Sequence, residues 1–304
     1  MKRILLPTDF SPTARNAIEY ALAMFEKESC TFYLLHTYTP AIYRVDYLLG
    51  GAAISALPDA EVGRSAEGLD KTLSEMKKMS KNPEHRFEIV SAFNILSHEI
   101  NELTESKKID LVIMGTKGAT GAKEVFIGSN TVYVLRKASI PVLVVPDKVA
   151  YSPIKEILFP TNYLSRYKKF EIQHILNLAT SEDAMVTVLH VKETPELSEE
   201  QLANKAYLDK LLENTAHTFI ELQDTRMPYA VIEYLEKESF DLLAMMNKKH
   251  NLLEQIFSKQ NVDHVGYHIK IPFLSVRDTS EFGSREEWSE FGLNWGDLSE
   301  LQKR

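Results

Sequence analysis

The residues from Met114 to Thr131 (MGTKGATGAKEVFIGSNT) carry the clearest chemical signal in the chain. Gly115, Gly118 and Gly128, with Ser129 directly after, follow a G-x2-G-x9-G-S spacing. Glycines at 115 and 118 let the backbone adopt positive φ and approach a ligand with no Cβ in the way. Amides of such a loop converge on phosphate oxygens. Gly128 and Ser129 open a helix, where free N–H groups and the positive dipole end favour phosphate. Ser129 and Thr131 add hydroxyl donors, and Lys117 adds charge. The spacing is neither a G-x4-G-K-[ST] P-loop nor the G-x-G-x-x-G loop of dinucleotide folds. A glycine-rich surface loop is the competing reading. Placement between an apolar strand and a helix favours the anion cradle.

The elements that must position this loop repeat along the chain. Ile4–Phe10 (ILLPTDF) matches 157–163 (ILFPTNY), and Leu35-His36 matches Leu189-His190. Residues 109–147 align without a gap to 240–278, with 12 identities in 39 positions, among them Asp110, Met114, Lys117, Asn130, Pro141 and Asp147. Length agrees, since 304 residues amount to about two domains of the usual size. The join falls near Asp147–Ser152.

Each half alternates strand and helix. In the first, Arg3–Leu6 is a short apolar strand stopped by Pro7. Ser11 caps a helix with Pro12 in its first turn, and Ala17, Ile18, Ala21, Leu22 and Phe25 form its buried face. Thr31–His36 reads as a strand. Residues 66–79 read as a helix with Leu69, Leu73, Met76 and Met79 inward. Arg86–Ala92 reads as a strand with Phe87, Ile89 and Ser91 inward, and 95–103 as a helix burying Ile95, Leu96, Ile100 and Leu103. Asp110–Met114 suits a buried parallel strand. Residues 130–136 are helical and 141–145 a final strand. Strands near 156–159, 185–190, 218–222, 241–245 and 273–276 repeat the order. This βα alternation implies two tandem copies of a five-stranded, parallel, doubly wound α/β sandwich. The domains expected are 1–150, 151–278 and a tail, 279–304.

Ligands of such sheets sit beyond the carboxyl ends of the strands. Besides the glycine loop, Pro7-Thr8-Asp9-Phe10 and Thr37-Tyr38 fall there. The second half departs from the pattern. Met246, Lys249, Lys259 and Gln260 stand where the first half has Gly115, Gly118, Gly128 and Ser129, and Asn162 replaces Asp9. Side chains fill each position where backbone approach is needed, so no site of the same kind is expected in 151–278. Lys248, Lys249 and Lys259 read as a solvated cluster.

Other constellations carry less. Asp9 has no sequence-implied histidine, cysteine or second carboxylate beside it, which favours binding over catalysis. His36 and His190 occupy matching strand ends, which suggests a structural hydrogen bond to neighbouring backbone. His264 and His268 stand four apart, but no third metal ligand is identifiable. Cys30, the single cysteine, has no nucleophile signature and admits no intrachain disulfide. The tail holds both tryptophans, Trp288 and Trp295, with Phe282 and Phe291, and is expected to anchor on its own chain or on a partner. The long connection Tyr38–Gly63 is expected to cover the ligand edge or an interface.

Composition excludes several classes. Apolar residues make up 44% and charged residues 26%, as in ordinary globular proteins, and the net charge is −8. That acidity disfavours nucleic acid and anionic membranes as partners. No apolar run reaches a membrane span of about 20 residues. Three apolar residues precede Pro7, too few for a signal peptide, so a cytoplasmic location is expected.

Ile4–Ser11, the G-x2-G-x9-G-S-N-T run and Ile140–Pro146 (IPVLVVP) together resemble the universal stress protein family, in its tandem, ATP-binding branch, over about residues 1–278. The resemblance implies an adenine-nucleotide alpha hydrolase-like fold with nucleotide at the carboxyl edge. It places Pro7, Thr8 and Asp9 at the adenine or ribose end and Thr37 beside the base. Met114, Gly115, Lys117 and Gly118 would line ribose and phosphates, and Gly128, Ser129, Asn130 and Thr131 would hold the phosphates. It implies ATP, with ADP or AMP as alternatives, and Mg2+ or Mn2+ as an optional companion of the phosphates. It also implies pairing of the last strands, 141–145 and 272–276, within one chain as a pseudo-dimer, with a homodimer as a further option. The function expected is nucleotide-dependent regulation of a stress response, with no catalytic residues and at most slow hydrolysis. An ATP-hydrolysing or nucleotidyl-transfer enzyme of related fold, and a nucleotide-free interaction module, are the alternatives.

Overall fold

The computed structural model describes residues 1–38, 57–116, 128–164, 166–192, 196–223, 229–247 and 270–277. The chain divides into two compact units, one running to Tyr151 and the other starting at Ser152.

In the first unit the order is β1 (Lys2–Pro7), α1 (Pro12–Met24), β2 (Cys30–Thr37), α2 (Leu57–Met79), β3 (Arg86–Ala92), α3 (Leu96–Lys107), β4 (Leu111–Gly115), α4 (Ser129–Lys137) and β5 (Val142–Val145). The strands stand in the order β3-β2-β1-β4-β5, and the pairs are parallel. The chain therefore lays strands outward from β1 on one side, then returns to β1's other side for β4. The order reverses at β1, the place where doubly wound sheets open a crevice. Central strands read as unbroken apolar runs because helices cover both faces. Ile4, Leu5, Leu6, Phe32, Leu35, Val112 and Val144 are fully buried.

α1 begins as its sequence dictates. The Ser11 hydroxyl accepts from the Ala14 amide at 3.2 Å, with Pro12 in the first turn. Two boundary expectations and one burial expectation need correction. α2 starts at Leu57, not near 66, so part of the Tyr38–Gly63 connection is helix. Ile95 flanks α3 as its cap and is 52% exposed, because only residues inside the helix share its buried stripe. Ile89 is 42% exposed because β3 has a single strand neighbour and is thinly covered at that edge.

The second unit runs β6 (Glu156–Pro160), α5 (Lys169–Glu182), β7 (Met185–Val191), α6 (Glu199–Leu212), β8 (His217–Leu222), α7 (Tyr229–Lys237), β9 (Leu242–Asn247) and β10 (Phe273–Arg277). Its strands stand β10-β9-β6-β7-β8, again parallel. The register reproduces the internal alignment. Gly115 pairs with Val145 in the first unit, and Met246 pairs with Val276 in the second. Among the described residues no helix is long and apolar enough to cross a membrane. The tail 279–304, the lysines at 248, 249 and 259, and His264 and His268 lie outside the described residues.

Candidate functional site

A cleft of about 140 Å3 opens at the carboxyl edge of the first unit. Its walls hold Pro7, Thr8, Asp9, Thr37, Met114, Gly115, Gly128, Ser129, Asn130 and Thr131. Ten of the twelve residues singled out in the sequence thus share one cavity; Lys117 and Gly118 lie outside the described residues. Ala14, His36 and Leu96 complete the wall. Sequence reading passed them over, since Ala14 and Leu96 look like ordinary helix core and His36 like a structural histidine.

One wall is the start of α4. Gly128 is its N-cap, has extended backbone and offers no side chain to cap the first turn. The first amides of any α-helix lack an intrahelical acceptor, so those of Ser129, Asn130 and Thr131 lie open to an anion. The opposite wall comes from the ends of β1 and β2. β1 stands between β2 and β4, so the end of β2 lies about 10 Å from that of β4 and the end of β1 about 5 Å, at the usual strand spacing.

The β1–α1 turn is built from short polar side chains. Thr8 Oγ1 accepts from the Phe10 amide at 3.0 Å, and Asp9 Oδ1 accepts from the Ser11 amide at 3.1 Å. Phe10 is held in the left-handed region, at φ 64°, which costs a non-glycine about 1–3 kcal/mol. Its ring stacks on His36 with centroids 4.5 Å apart. The second unit repeats this turn. Tyr163 has φ 55° and lies 4.7 Å from His190, and Thr161 Oγ1 and Asn162 Oδ1 accept from the Tyr163 and Leu164 amides.

Two expected roles change. Gly115 ends β4 with ordinary strand backbone, and a Cβ there would lie 2.8 Å from both the carbonyl oxygen and Cγ2 of Thr13. Glycine is required by the passage of α1 over β4, and its φ is not positive. The Thr131 hydroxyl is buried and donates to the Gly115 carbonyl at 3.0 Å. It ties α4 to β4, leaving the Thr131 amide as the donor toward the cleft.

The two histidines also differ. His190 behaves as expected, with Nδ1 2.9 Å from the Thr161 carbonyl oxygen. His36 instead places Nδ1 2.9 Å from the Ser65 hydroxyl. Burial lowers the His36 pKa below its usual value, against the opposing pull of Asp9 and Glu61. Cys30 is buried at the start of β2, and burial, with Glu28 adding to it, pushes its thiol up to about 11.

Fold and cleft define a tandem α/β protein with a helix start that no side chain caps at its switch point. Comparison with known proteins agrees with that class. The family model described as the universal stress protein family matches residues 1–146. Universal stress protein MJ0531 of Methanocaldococcus jannaschii is 31% identical over 156 residues, covering 47% of this chain and 81% of that protein. Universal stress protein Slr1230 of Synechocystis sp. is 23% identical over 298 residues, covering 91% of this chain and 100% of that protein. The crystal structure of a universal stress protein from Archaeoglobus fulgidus shares the fold, with a TM-score of 0.66 at 16% identity over 90% of this chain and 96% of that one. This chain belongs to the universal stress protein family, and it is of the tandem-domain kind.

Proposed function

We propose that the first unit binds an adenine nucleotide, ATP in the first instance, and that the protein is a cytoplasmic nucleotide-dependent regulator. The observation that carries the reading is the gathering of ten expected site residues around one cleft whose far wall is the uncapped start of α4. The phosphates go to the Ser129, Asn130 and Thr131 amides, where dipole and free N–H groups attract them. Lys117 and Gly118 add to that end, and Mg2+ or Mn2+ accompanies the phosphates. The base goes to Pro7, Thr8, Asp9 and Thr37, at the ends of β1 and β2, one and two strand spacings from β4, or roughly 5 and 10 Å. Binding rather than turnover fits the site's polar groups. Asp9 Oδ1 takes the Ser11 amide and the Thr131 hydroxyl donates to a carbonyl, so both side chains serve to shape the cleft. A bound nucleotide favours one surface conformation, which partners read.

The second unit is proposed to be nucleotide-free. Met246, 7% exposed, fills the position of Gly115, and Tyr163 is wholly buried. Mass spectrometry of the denatured full-length protein, followed by calorimetric titration with ATP, ADP and AMP with and without Mg2+ or Mn2+, tests both statements. One nucleotide per chain is expected. No released nucleotide and no binding heat would overturn the first statement, and two per chain the second.

A further inference from the structure

His36 is held from outside the cleft that it lines. Its Nδ1 lies 2.9 Å from the Ser65 hydroxyl of α2, and Ser65 Oγ lies 2.7 Å from Ser91 Oγ of β3. Ser65 is fully buried. The Phe10 ring lies against the imidazole, centroids 4.5 Å apart and planes tilted by 30°. Each hydroxyl has one proton to give, so the relay runs in one of two directions. If Ser91 donates to Ser65 and Ser65 to Nδ1, the ring carries its proton on Nε2. In the reverse direction Nδ1 carries the proton and Nε2 is an acceptor. A neutral ring fits both directions.

The second unit supplies an internal comparison. His190 is 3% exposed, and Nδ1 meets a carbonyl, which only accepts, so its proton sits there. Across from His190, β8 places Glu221 where β3 places Ser91 across from His36. Glu221 is held by Lys192 and Lys205 at 2.8 Å each, which lower its pKa to about 2. The hydroxyl relay therefore belongs to the unit whose histidine lines the cleft, and a sealed histidine beside an ion-pair cluster takes its place in the other.

We propose that His36 is a specificity-determining residue of the cleft, an imidazole held in place by Ser65, Ser91 and Phe10 that hydrogen-bonds the edge of the nucleotide's heterocycle. The inference rests on the nucleotide reading above. His36 is the penultimate residue of β2, on the far side of β1 from β4, which leads to α4. A neutral ring contributes no charge to a phosphate, whereas beside a base it offers an N–H or a lone pair. Burial lowers its pKa and so favours the neutral ring, against the pull of two carboxylates, Asp9 from the β1–α1 turn and Glu61 from α2.

The test compares ATP, inosine triphosphate and inorganic tripolyphosphate by calorimetry on the full chain. Wild type, His36→Phe and Ser65→Ala are measured, with thermal melting as the check on folding. Inosine carries an oxo group where adenine has an amino group, so it reverses a donor and an acceptor at the base edge. His36→Phe keeps the ring stack and should weaken ATP about fivefold to tenfold, the worth of one hydrogen bond. The ratio of ATP to inosine triphosphate affinity should collapse toward one, with tripolyphosphate affinity within about twofold of wild type. Ser65→Ala should shift the same ratio with His36 in place, and it carries the test if His36→Phe melts early. A folded variant that keeps the wild-type ratio overturns this inference and leaves the nucleotide reading standing. Failure of wild type to bind ATP overturns both.

Discussion

The Thr131 side chain donates to the Gly115 carbonyl across the base of the cleft, at 3.0 Å. One hydrogen bond thereby joins the last residue of β4 to the first turn of α4. Thr131→Val keeps the shape and removes the donor, leaving a buried carbonyl short of a partner. Such a loss costs about 1–3 kcal/mol. Urea denaturation should show the first unit destabilised by that amount. ATP affinity should fall as well, because the α4 amides lose their anchor to the sheet. Unchanged stability would mean that water replaces the bond.

Gly115 gives a separate prediction. A methyl there meets Thr13 backbone at 2.8 Å, and backbone cannot move aside cheaply. Gly115→Ala should cost about 1–3 kcal/mol through overpacking. Thr13→Ala removes Cγ2 but not the carbonyl, so it should not rescue the variant. If the glycine served ligand approach instead, Gly115→Ala would lose nucleotide affinity with its denaturation midpoint intact.

These two residues mark where sequence sufficed and where it did not. The ungapped match of 109–147 to 240–278 made β4 and β5 the counterparts of β9 and β10 residue by residue, and the pairing within each unit follows that match, Gly115 with Val145 and Met246 with Val276. The carboxyl-edge residues were legible because strand ends in a doubly wound sheet converge by topology. Gly115's reason was not, since its neighbour Thr13 is distant in sequence and its clash is a matter of packing. His36's partner was hidden for a similar cause. Ser65 lies 29 residues away, on a helix whose start the apolar periodicity does not mark. The left-handed Phe10 left only a faint signal, the match of Thr-Asp-Phe to Thr-Asn-Tyr.

His217 in β8 offers a pH prediction. Its Nδ1 lies 2.9 Å from the Thr215 carbonyl oxygen and its Nε2 2.8 Å from an Asp209 carboxylate oxygen. Both partners only accept, so only the imidazolium satisfies both. Burial lowers its pKa, but the bonds to Asp209 and Thr215 outweigh burial and raise it above 6.5. A raised folded-state pKa stabilises fully below the unfolded value and is lost as pH rises through the folded one. The stability gap between wild type and His217→Ala should therefore be widest below about pH 6.5 and shrink above the folded pKa. Hydrogen exchange of β8 amides reads this locally. Asp209→Asn should flatten the profile, and a gap independent of pH would refute the assignment.

Asp9 separates scaffold from chemistry most cleanly, because the second unit already contains its control. Asp9 Oδ1 accepts from the Ser11 amide at 3.1 Å, and Asn162 Oδ1 accepts from the Leu164 amide at the same distance. An amide oxygen therefore supports this turn as well as a carboxylate oxygen does. Asp9→Asn should leave the turn, α1 and the melting temperature in place while removing one negative charge and two acceptor lone pairs from the cleft. If the carboxylate binds the nucleoside part of a ligand, affinity should fall about tenfold or more, the usual worth of a hydrogen bond to a charged group. Tripolyphosphate should bind no worse, and slightly better, because a repelling charge has gone. The reciprocal Asn162→Asp should not create a site in the second unit, where Met246 occupies the place of Gly115. Calorimetry on both variants decides the matter: equal ATP affinity for wild type and Asp9→Asn would reduce Asp9 to a turn-former.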